Sequence, residues 1–230
     1  SRSVDLPNVD ITDPESVLAA FGSFSPDVVI NCAAWTAVDA AEENEDAALV
    51  VNADGPRVLA QACRDAGAWL VQISTDYVFS GDATSPYGED AEPDPRSAYG
   101  RTKLAGERAV QQALPDAHYI VRTAWLYGHE GSNFVKTMLR LEAERDTIDV
   151  VDDQLGQPTY ATDLAAQVAE LVDARPAAGI FHGTNTGTVS WNGFTREIFR
   201  LIGADPERVR AVTSDQFVRP APRPAYSVLG

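Results

Sequence analysis

The chain has few of the residues that bind transition metals or cross-link small folds. Cys32 and Cys63 are its two cysteines, no Cys-x-x-Cys pair occurs, and only three histidines are present in 230 residues. Such a sequence shows no disulfide framework and no zinc-binding pattern, so we predict no metal site and expect a reducing compartment. The acidic run at residues 42–46 carries oxygen ligands of the kind magnesium prefers, but a solvated helix start explains it better.

Long apolar stretches are also missing. No run approaches the roughly 18 residues needed to span a bilayer. Residues 1–5, Ser-Arg-Ser-Val-Asp, lack the apolar centre of a signal peptide. We therefore expect a cytoplasmic protein without a membrane partner.

Positive charge is scarce. Lys and Arg number 18 against 34 Asp and Glu, which gives a formal net charge of -16. A field of this sign repels nucleic-acid backbones and anionic membranes, so neither is predicted as a partner. An anionic ligand would need local donors, although an acidic surface also serves solubility alone.

Short apolar runs alternate with longer helix-like segments. The runs fall at residues 28–31, 70–74, 119–121, 148–151 and 180–181, and turn residues bound them. Helices are predicted at residues 14–21, 55–66, 98–112, 133–143, 161–173 and 191–202. This alternation predicts an α/β fold with a doubly wound, Rossmann-like, mostly parallel sheet whose strand ends converge on one cleft.

Two residues of complementary chemistry lie four positions apart. Tyr99 and Lys103 fall on one face of a predicted helix, one turn from each other. A phenol has an ordinary pKa of about 10, and a neighbouring cation favours its phenolate, which brings the group toward the range for proton transfer. The pair is able to protonate a carbonyl, although Tyr-x-x-x-Lys alone also arises by chance.

The strand-like run at residues 68–73 ends in a polar cluster. It continues as Ser-Thr-Asp-Tyr-Val-Phe-Ser-Gly at residues 74–81. Ligands of open parallel sheets bind at the carboxyl ends of strands, so Thr75, Asp76 and Tyr77 are candidates for ligand contacts. Two alternatives stay open: the Thr75 hydroxyl satisfies a strand end, and Asp76 caps a turn.

These motifs resemble those of the extended short-chain dehydrogenase/reductases. The resemblance rests on Ser-Thr-Asp-Tyr-Val-Phe at residues 74–79, followed by Tyr-Gly-Arg-Thr-Lys-Leu-Ala-Gly-Glu at residues 99–107. It also includes residues 10–13, 29–39, 122–125 and 151–159, and so covers nearly the whole chain.

The resemblance implies an oxidoreductase with a bound nicotinamide cofactor. The implied reaction is reduction of the C4 ketone of dTDP-4-dehydro-L-rhamnose to dTDP-L-rhamnose with NADPH or NADH, by a protein that can form a homodimer. One alternative is a related nucleotide-sugar reductase, dehydratase or epimerase. Another is a non-catalytic subunit similar to the regulatory beta subunit of methionine adenosyltransferase.

The resemblance assigns catalytic and cofactor-binding residues. Tyr99 would donate a proton to the C4 oxygen, Lys103 would lower the pKa of Tyr99 and bond the nicotinamide ribose, and Thr75 would hydrogen-bond the same carbonyl. The implied cofactor-binding residues are Asp10, Ile11, Ala34, Trp35, Thr36, Ile73, Tyr99 and Lys103. For Ile73 a place in the core is the alternative.

The implied substrate-binding residues are Thr36, Val38, Thr75, Asp76, Tyr77, Trp125 and Asn133. Val38 and Trp125 serve equally well as packing residues, and Asn133 begins a helix whose amides can reach a diphosphate. Arg219 and Arg223 carry guanidinium groups that either pair with phosphate oxygens or stay solvated. Asn52 either lies near the catalytic group or supports the adjacent strand.

One element of a dinucleotide-binding sheet is missing. Such a sheet opens with a strand, a Gly-x-Gly-x-x-Gly type loop and a helix whose amides hold the pyrophosphate, and no such loop occurs in this sequence. Three explanations stay open: the chain is a fragment, its front part is disordered, or the protein has lost this site. We expect a chain that is incomplete at both ends and that alone binds the cofactor weakly.

Two domains are predicted on this basis. Residues 1–150 form an incomplete dinucleotide-binding domain, and residues 151–230 form mainly a smaller substrate-binding lobe with some return to the main sheet. The hydrophobic content of 44% is enough for one sizeable core with a small lobe. The Pro- and Gly-rich segments at residues 80–96 and 216–224 are predicted as surface loops around the cleft.

Overall fold

A computed structural model of the chain describes residues 8–230. Residues 1–7, which include the five residues considered for a signal peptide, lie outside this range. The helices are α1 Pro14–Phe24, α2 Val38–Ala41, α3 Glu45–Leu49, α4 Gly55–Ala66, α5 Ala98–Ala113, α6 Phe134–Glu144, α7 Ala161–Ala174 and α8 Trp191–Leu201. The strands are β1 Val28–Asn31, β2 Trp69–Thr75, β3 His118–Thr123, β4 Leu126–Tyr127, β5 Ile148–Val151, β6 Leu155–Gly156, β7 Thr159–Tyr160, β8 Gly179–His182, β9 Val189–Ser190 and β10 Val209–Val212.

The central sheet has four parallel strands in the order β1-β2-β3-β8. Val28 pairs with Trp69 at one end of the β1–β2 register, and Thr75 pairs with Thr123 at the carboxyl end of β2 and β3. Helices connect these strands, as parallel crossovers require. The predicted α/β fold with a mostly parallel sheet is confirmed, and so are all six predicted helices to within three residues at either end.

The smaller strands form three separate pairs. β5 pairs in parallel with β10, β4 in parallel with β7, and β6 in antiparallel with β9. The β5–β10 pair packs on α6 and α8 around a cluster of Met138, Ile148, Val150, Ile198, Phe199 and Val209. Thus β5, which the sequence places in the series of sheet strands, contributes to this second cluster, while β8 returns to the central sheet. The division near residue 150 stays a prediction.

Helix α5 packs unusually close to its neighbours, and two glycines make this possible. A Cβ added to Gly106 would lie 2.0 Å from the Asn52 backbone oxygen, and one added to Gly100 would lie 2.2 Å from the Tyr77 backbone oxygen. Asn52 belongs to a π-helical turn, Val50–Asp54, and Tyr77 to a 3-10 turn, Asp76–Val78. Since only glycine permits such contacts, these two positions bring α5 directly against both turns.

The chain after β10 crosses back to the segment that follows β2. The Tyr87 amide donates to the Val228 carbonyl at 2.9 Å, and the Gln157 side-chain amide bonds both backbone groups of Leu229. The predicted loops at residues 80–96 and 216–224 contain little regular structure and flank this crossing. Within residues 8–230, no helix has both the length and the apolar character that a membrane crossing needs.

Candidate active site at the carboxyl end of the central sheet

Tyr99 lies in the first turn of α5, beside the carboxyl end of β2. Ser97 caps this helix by accepting a hydrogen bond from the Gly100 amide at 3.1 Å. The Thr75 side chain, at the last residue of β2, lies close enough to the Tyr99 phenol to lower its pKa. Its ring packs edge-on against Tyr77, with 5.7 Å between ring centroids. The helix start and the strand end therefore place the phenol and the hydroxyl together, as the sequence predicts.

Lys103 lies one turn further along α5 and is 4% exposed. Its Nζ donates a hydrogen bond to the Ile73 carbonyl oxygen at 2.7 Å. Burial lowers the pKa of Lys103 to about 8, against the opposing influence of Glu107 and Cys32. Because this value is still above neutral pH, most of the ammonium is charged under ordinary conditions.

Burial raises the pKa of Tyr99 to about 12, while hydrogen bonding with Thr75 lowers it and Asp76 raises it. This direction differs from the expectation that Lys103 depresses the pKa of the phenol. The expectation considered the cation and left out the desolvation of a ring packed at a helix–strand junction. Tyr99 therefore holds its proton at neutral pH, which suits a proton donor.

Asp76 follows Thr75 and is 2% exposed. Its Oδ1 accepts a hydrogen bond from the Thr75 hydroxyl at 3.0 Å, and the Tyr77 amide donates to the Thr75 hydroxyl oxygen at 3.2 Å. Burial raises the pKa of Asp76 to about 6, against hydrogen bonds that lower it. The Thr75 hydroxyl thus satisfies the backbone at the end of β2, as its alternative predicts, and Thr75 rather than Asp76 caps the 3-10 turn. The same hydroxyl also bonds the Asp76 carboxylate.

The loop after β1 is tied to α5 by a single asparagine. The Asn52 Oδ1 accepts from the Trp35 amide at 2.8 Å, and its Nδ2 donates to the Trp35 carbonyl and the Thr102 hydroxyl, each at 3.1 Å. Ala34 and Trp35 are half-buried, whereas Thr36 is exposed. Asn52 therefore supports a loop rather than a strand, and it fixes that loop beside the helix of Tyr99 and Lys103.

A cleft of about 210 Å³ opens next to this group. Its lining residues are Tyr77, Phe79, Ser80, Asp82, Arg96, Ser97, Pro222, Arg223, Pro224 and Ala225. Arg223 donates to Asp39 Oδ2 at 2.9 Å, and Arg219 lies 4.0 Å from the same oxygen. Val38 begins α2 directly before Asp39. Arg223 is thus held at the cleft by a carboxylate that Arg219 also approaches, and neither of the sequence alternatives for the two arginines included this carboxylate.

Trp125 follows β3 in a left-handed backbone conformation with φ 45°. Its indole stacks on Trp191, with 3.5 Å between ring centroids and 8° between planes. On another side the ring meets Gly156, where an added Cβ would lie 2.5 Å from Trp125 Cε2. A bulky residue pays about 1–3 kcal/mol for such a backbone, so the packing of Trp191 and Gly156 holds Trp125 in one orientation.

Three other predicted residues lie outside this constellation in the present geometry. The Asp10 carboxylate accepts from the Thr12 amide and hydroxyl at 2.9 and 2.8 Å, and Ile11 packs on Gly55 at the start of α4. The Asn133 side chain caps α6 by accepting from the Lys136 amide at 3.1 Å and donates to the Gly128 carbonyl. Their roles toward a cofactor or substrate stay predictions.

Two carboxylates of the acidic run at residues 42–46 bond the first turn of α5. Glu42 Oε1 accepts from the Ala98 amide at 2.8 Å, and Glu45 forms a bidentate pair with Arg101 at 2.7 and 2.6 Å. In the described part of the chain, no group of three or more His, Cys, Asp or Glu side chains is placed to hold a metal ion.

Sequence reasoning missed four residues that shape the site: Asp39, Glu107, Arg122 and Trp191. Glu107 carried a usable signal, because it continues the four-residue spacing of Tyr99 and Lys103 along one helix face. Asp39, Arg122 and Trp191 have partners that lie far away in sequence, and no local pattern predicts these contacts.

Comparison with known proteins gives consistent similarities over nearly the whole chain. Residues 2–230 match the sequence profile of the RmlD substrate binding domain. The chain is 58% identical over 226 residues to a dTDP-4-dehydrorhamnose reductase of Streptomyces griseus, covering 96% of this chain and 74% of that protein. It is 53% identical over 223 residues to a dTDP-4-keto-6-deoxy-D-glucose reductase of Streptomyces niveus, covering 97% and 77%. The crystal structure of dTDP-4-dehydrorhamnose reductase from Bacillus anthracis in complex with NADP superposes with a TM-score of 0.95 at 43% identity, covering 99% of this chain and 80% of that chain.

Proposed function

The chain belongs to the family of the RmlD substrate binding domain, and from this premise we propose that it reduces the C4 ketone of dTDP-4-dehydro-L-rhamnose to dTDP-L-rhamnose. The protein is an oxidoreductase with a nicotinamide cofactor, NADPH or NADH. The observation that carries the proposal is the group of Tyr99, Thr75 and Lys103 at the carboxyl end of β2. A non-catalytic subunit would have no need of a proton-holding phenol and a buried ammonium at one strand end.

The residues around Lys103 fit the nicotinamide half of the cofactor. An ammonium group has three donors, and the Ile73 carbonyl takes one of those of Lys103. Within residues 8–230, no other acceptor takes the remaining two donors, so they are available to ribose hydroxyls. Beside them, the loop at Ala34 and Thr36 offers small or exposed residues for close approach. When bound, the reduced cofactor supplies the hydride that is added to the C4 carbon.

The chain itself supplies the proton and the environment for the developing charge. Tyr99 holds a proton at its phenol oxygen and donates it to the C4 oxygen of the sugar. The Thr75 hydroxyl donates its one proton to Asp76 Oδ1 in the free protein and turns it to the C4 oxygen when the sugar binds, while the Tyr77 amide still donates to the hydroxyl oxygen. In that position it stabilises negative charge as it develops on the C4 oxygen. The charged Lys103, one turn further along α5, stabilises the tyrosinate left after proton transfer.

The cleft beside Tyr77 suits the sugar and its diphosphate. Since the chain carries a net charge of -16, an anionic substrate needs local positive groups. Arg223 provides one in the lining of the cleft, and Arg219 lies near it, 4.0 Å from the same Asp39 oxygen. Trp125 does not line this cleft, but it follows Thr123, which pairs with Thr75 at the end of β2, and its orientation is fixed by Trp191. From that strand end its ring would give a flat apolar surface for the deoxysugar.

A second candidate substrate is dTDP-4-keto-6-deoxy-D-glucose. The similarity to the Streptomyces niveus reductase of that sugar, at 53% identity, favours including it. The two sugars carry the same ketone, so the catalytic group serves both, and the contacts of the cleft decide between them.

The test is a direct assay of both sugars. Full-length protein is incubated with NADPH or NADH and with enzymatically generated dTDP-4-dehydro-L-rhamnose or dTDP-4-keto-6-deoxy-D-glucose, and nicotinamide absorbance is followed. NMR of the sugar product then identifies the configuration at C4. We expect dTDP-L-rhamnose and a higher kcat/KM for the first sugar. A higher kcat/KM for the second sugar would show that this sugar is the preferred substrate instead. No turnover of either sugar would contradict the proposed function.

Two further properties are proposals of the same kind. A cytoplasmic location is supported by the two free thiols, Cys32 and Cys63, which suit a reducing compartment. A homodimer is proposed from the resemblance alone, and light scattering of the purified protein tests it.

A further inference from the structure

Three side chains on one face of α5 contact three successive residues of β2. Tyr99 lies beside Thr75, the Lys103 Nζ donates to the Ile73 carbonyl, and the Glu107 carboxylate accepts from the Ser74 hydroxyl at 2.5 Å. Each lies one helical turn from the next. The helix is thus joined to the strand by a row of polar contacts that ends at Glu107.

Glu107 is 1% exposed and fully bonded. Its Oε1 accepts from Ser74 and from Arg122 Nε at 3.0 Å, and its Oε2 accepts from Arg122 Nη2 at 2.7 Å. Arg122 is also 1% exposed, and its guanidinium lies 5.0 Å from the centre of the Phe79 ring. A bidentate pair between planar groups permits little motion, so the carboxylate has one position relative to both strands.

The charged and titratable groups around the Glu107 carboxylate come from four elements. Lys103 and Tyr99 lie on α5, Arg122 lies on β3, His182 lies on β8, and Cys32 lies in the loop after β1. Two of these groups, Lys103 and Arg122, are buried cations. In the described part of the chain, Glu107 is the carboxylate that acts on Lys103. Glu107 is thus the carboxylate shared by both buried cations, whereas the other buried carboxylate of the site, Asp76, bonds Thr75 at the opposite end of the row.

We propose that Glu107 is a positioning residue for the reduction: its carboxylate, locked by Ser74 and Arg122, keeps the Lys103 ammonium charged and holds α5 in register on β2. The catalytic part of this inference rests on the proposed function, whereas the electrostatic part concerns the protein alone. A buried ion pair is weak evidence for a role in stability, since well-packed apolar residues often replace one without loss. The placement one turn beyond Lys103 points instead to control of that residue.

The chain offers a clean measurement, because Lys103 and Lys136 are its two lysines. Labelling lysine with ¹³C at Cε gives two side-chain NMR signals, and the exposed Lys136 serves as an internal reference. The pKa of each ammonium is then read by titration without cofactor or substrate. The variants are Glu107→Gln, the conservative Glu107→Asp, and the control Glu144→Gln, which removes a surface partner of Arg140.

We expect Glu107→Gln to lower the pKa of Lys103 by roughly one unit or more, a tenfold loss of proton affinity, because an opposite charge nearby shifts a pKa by about that amount. Glu107→Asp should restore part of the shift, and Glu144→Gln should leave both lysines unchanged. An unchanged pKa of Lys103 in folded Glu107→Gln would overturn the proposal.

Glu107→Gln also leaves Arg122 without its buried counter-ion, and this alone can prevent folding. A second variant therefore keeps the test decisive. The double variant Glu107→Gln/Arg122→Met removes both charges and should fold, with the pKa of Lys103 again below that of the wild type. If neither variant folds, Glu107 is required for folding itself and the proposal fails.

Enzyme kinetics give the second readout. In Glu107→Gln, the loss of kcat at high pH should begin at lower pH, in step with Lys103, while KM for the sugar changes little. A merely structural role would lower kcat equally at all pH values, and that result would also overturn the proposal. If Glu107→Gln lowers the pKa of Lys103 but neither the wild type nor any variant reduces the sugar, the proposed function fails. The electrostatic role of Glu107 then still stands.

Discussion

Replacing Asp76 with asparagine should make the protein more stable at neutral pH. The carboxyl group is 2% exposed and accepts a hydrogen bond from Thr75 at 3.0 Å. Burial raises its pKa from 3.8 to about 6. Asparagine has the same shape and keeps an acceptor oxygen for Thr75, but it has no charge to desolvate.

The size and sign of the effect follow from linkage. Between its unfolded and folded pKa values, Asp76 binds a proton in the folded state that the unfolded state has released. The stability that this proton contributes is therefore fully present below the pKa of Asp76 in the unfolded state, and it is lost as the pH rises through the pKa in the folded state. A shift of about two units at about 1.4 kcal/mol each corresponds to roughly 3 kcal/mol at neutral pH.

Urea unfolding of wild type and Asp76→Asn between about pH 4 and pH 8 measures this. We expect the variant to be more stable by up to roughly 3 kcal/mol at the upper end, with the difference disappearing toward pH 4. Asp116→Asn, at an exposed position, is the control and should change little. A variant that is less stable than the wild type, or a difference independent of pH, would refute this account of Asp76.

Two other substitutions test neighbouring parts of the site. Gly156→Ala places a Cβ 2.5 Å from Trp125, whose ring is stacked on Trp191 and cannot retreat, so urea unfolding should show a loss of about 1–3 kcal/mol together with a higher KM for the sugar. Gly22→Ala, with no atom within 4 Å of the added Cβ, is its matched control. Equal stability of the two variants would contradict the conclusion that the Trp125 ring is fixed in place. Thr75→Val removes a hydroxyl at constant shape and should lower kcat roughly 10²-fold with KM little changed; an unaltered kcat in a steady-state assay would remove Thr75 from the mechanism.

The helix and the strand end of this site were predictable because their signals are local. The four-residue spacing of Tyr99 and Lys103 requires only a helix to place them together, and the polar residues after the apolar run of β2 indicate a strand end. Both predictions hold in the structure.

The remaining features depend on partners far away in sequence. An apolar run such as that of β5 indicates a strand but not which strand it pairs with, so its pairing with β10 could not be read from it. The stacking of Trp125 on Trp191 and the pairing of Asp39 with Arg223 join residues 66 and 184 positions apart. The pKa of Tyr99 depends on burial, which sequence spacing does not measure.

The central claim is that the Tyr99 phenol donates the proton that completes reduction of the sugar ketone. It is tested most directly by comparing wild type and Tyr99→Phe in turnover of dTDP-4-dehydro-L-rhamnose with NADPH, with sugar binding measured separately by calorimetry. We predict that kcat falls by a factor of about 10²–10⁴, the usual contribution of a general acid, while sugar affinity is retained. Equal turnover by the two proteins would contradict the account.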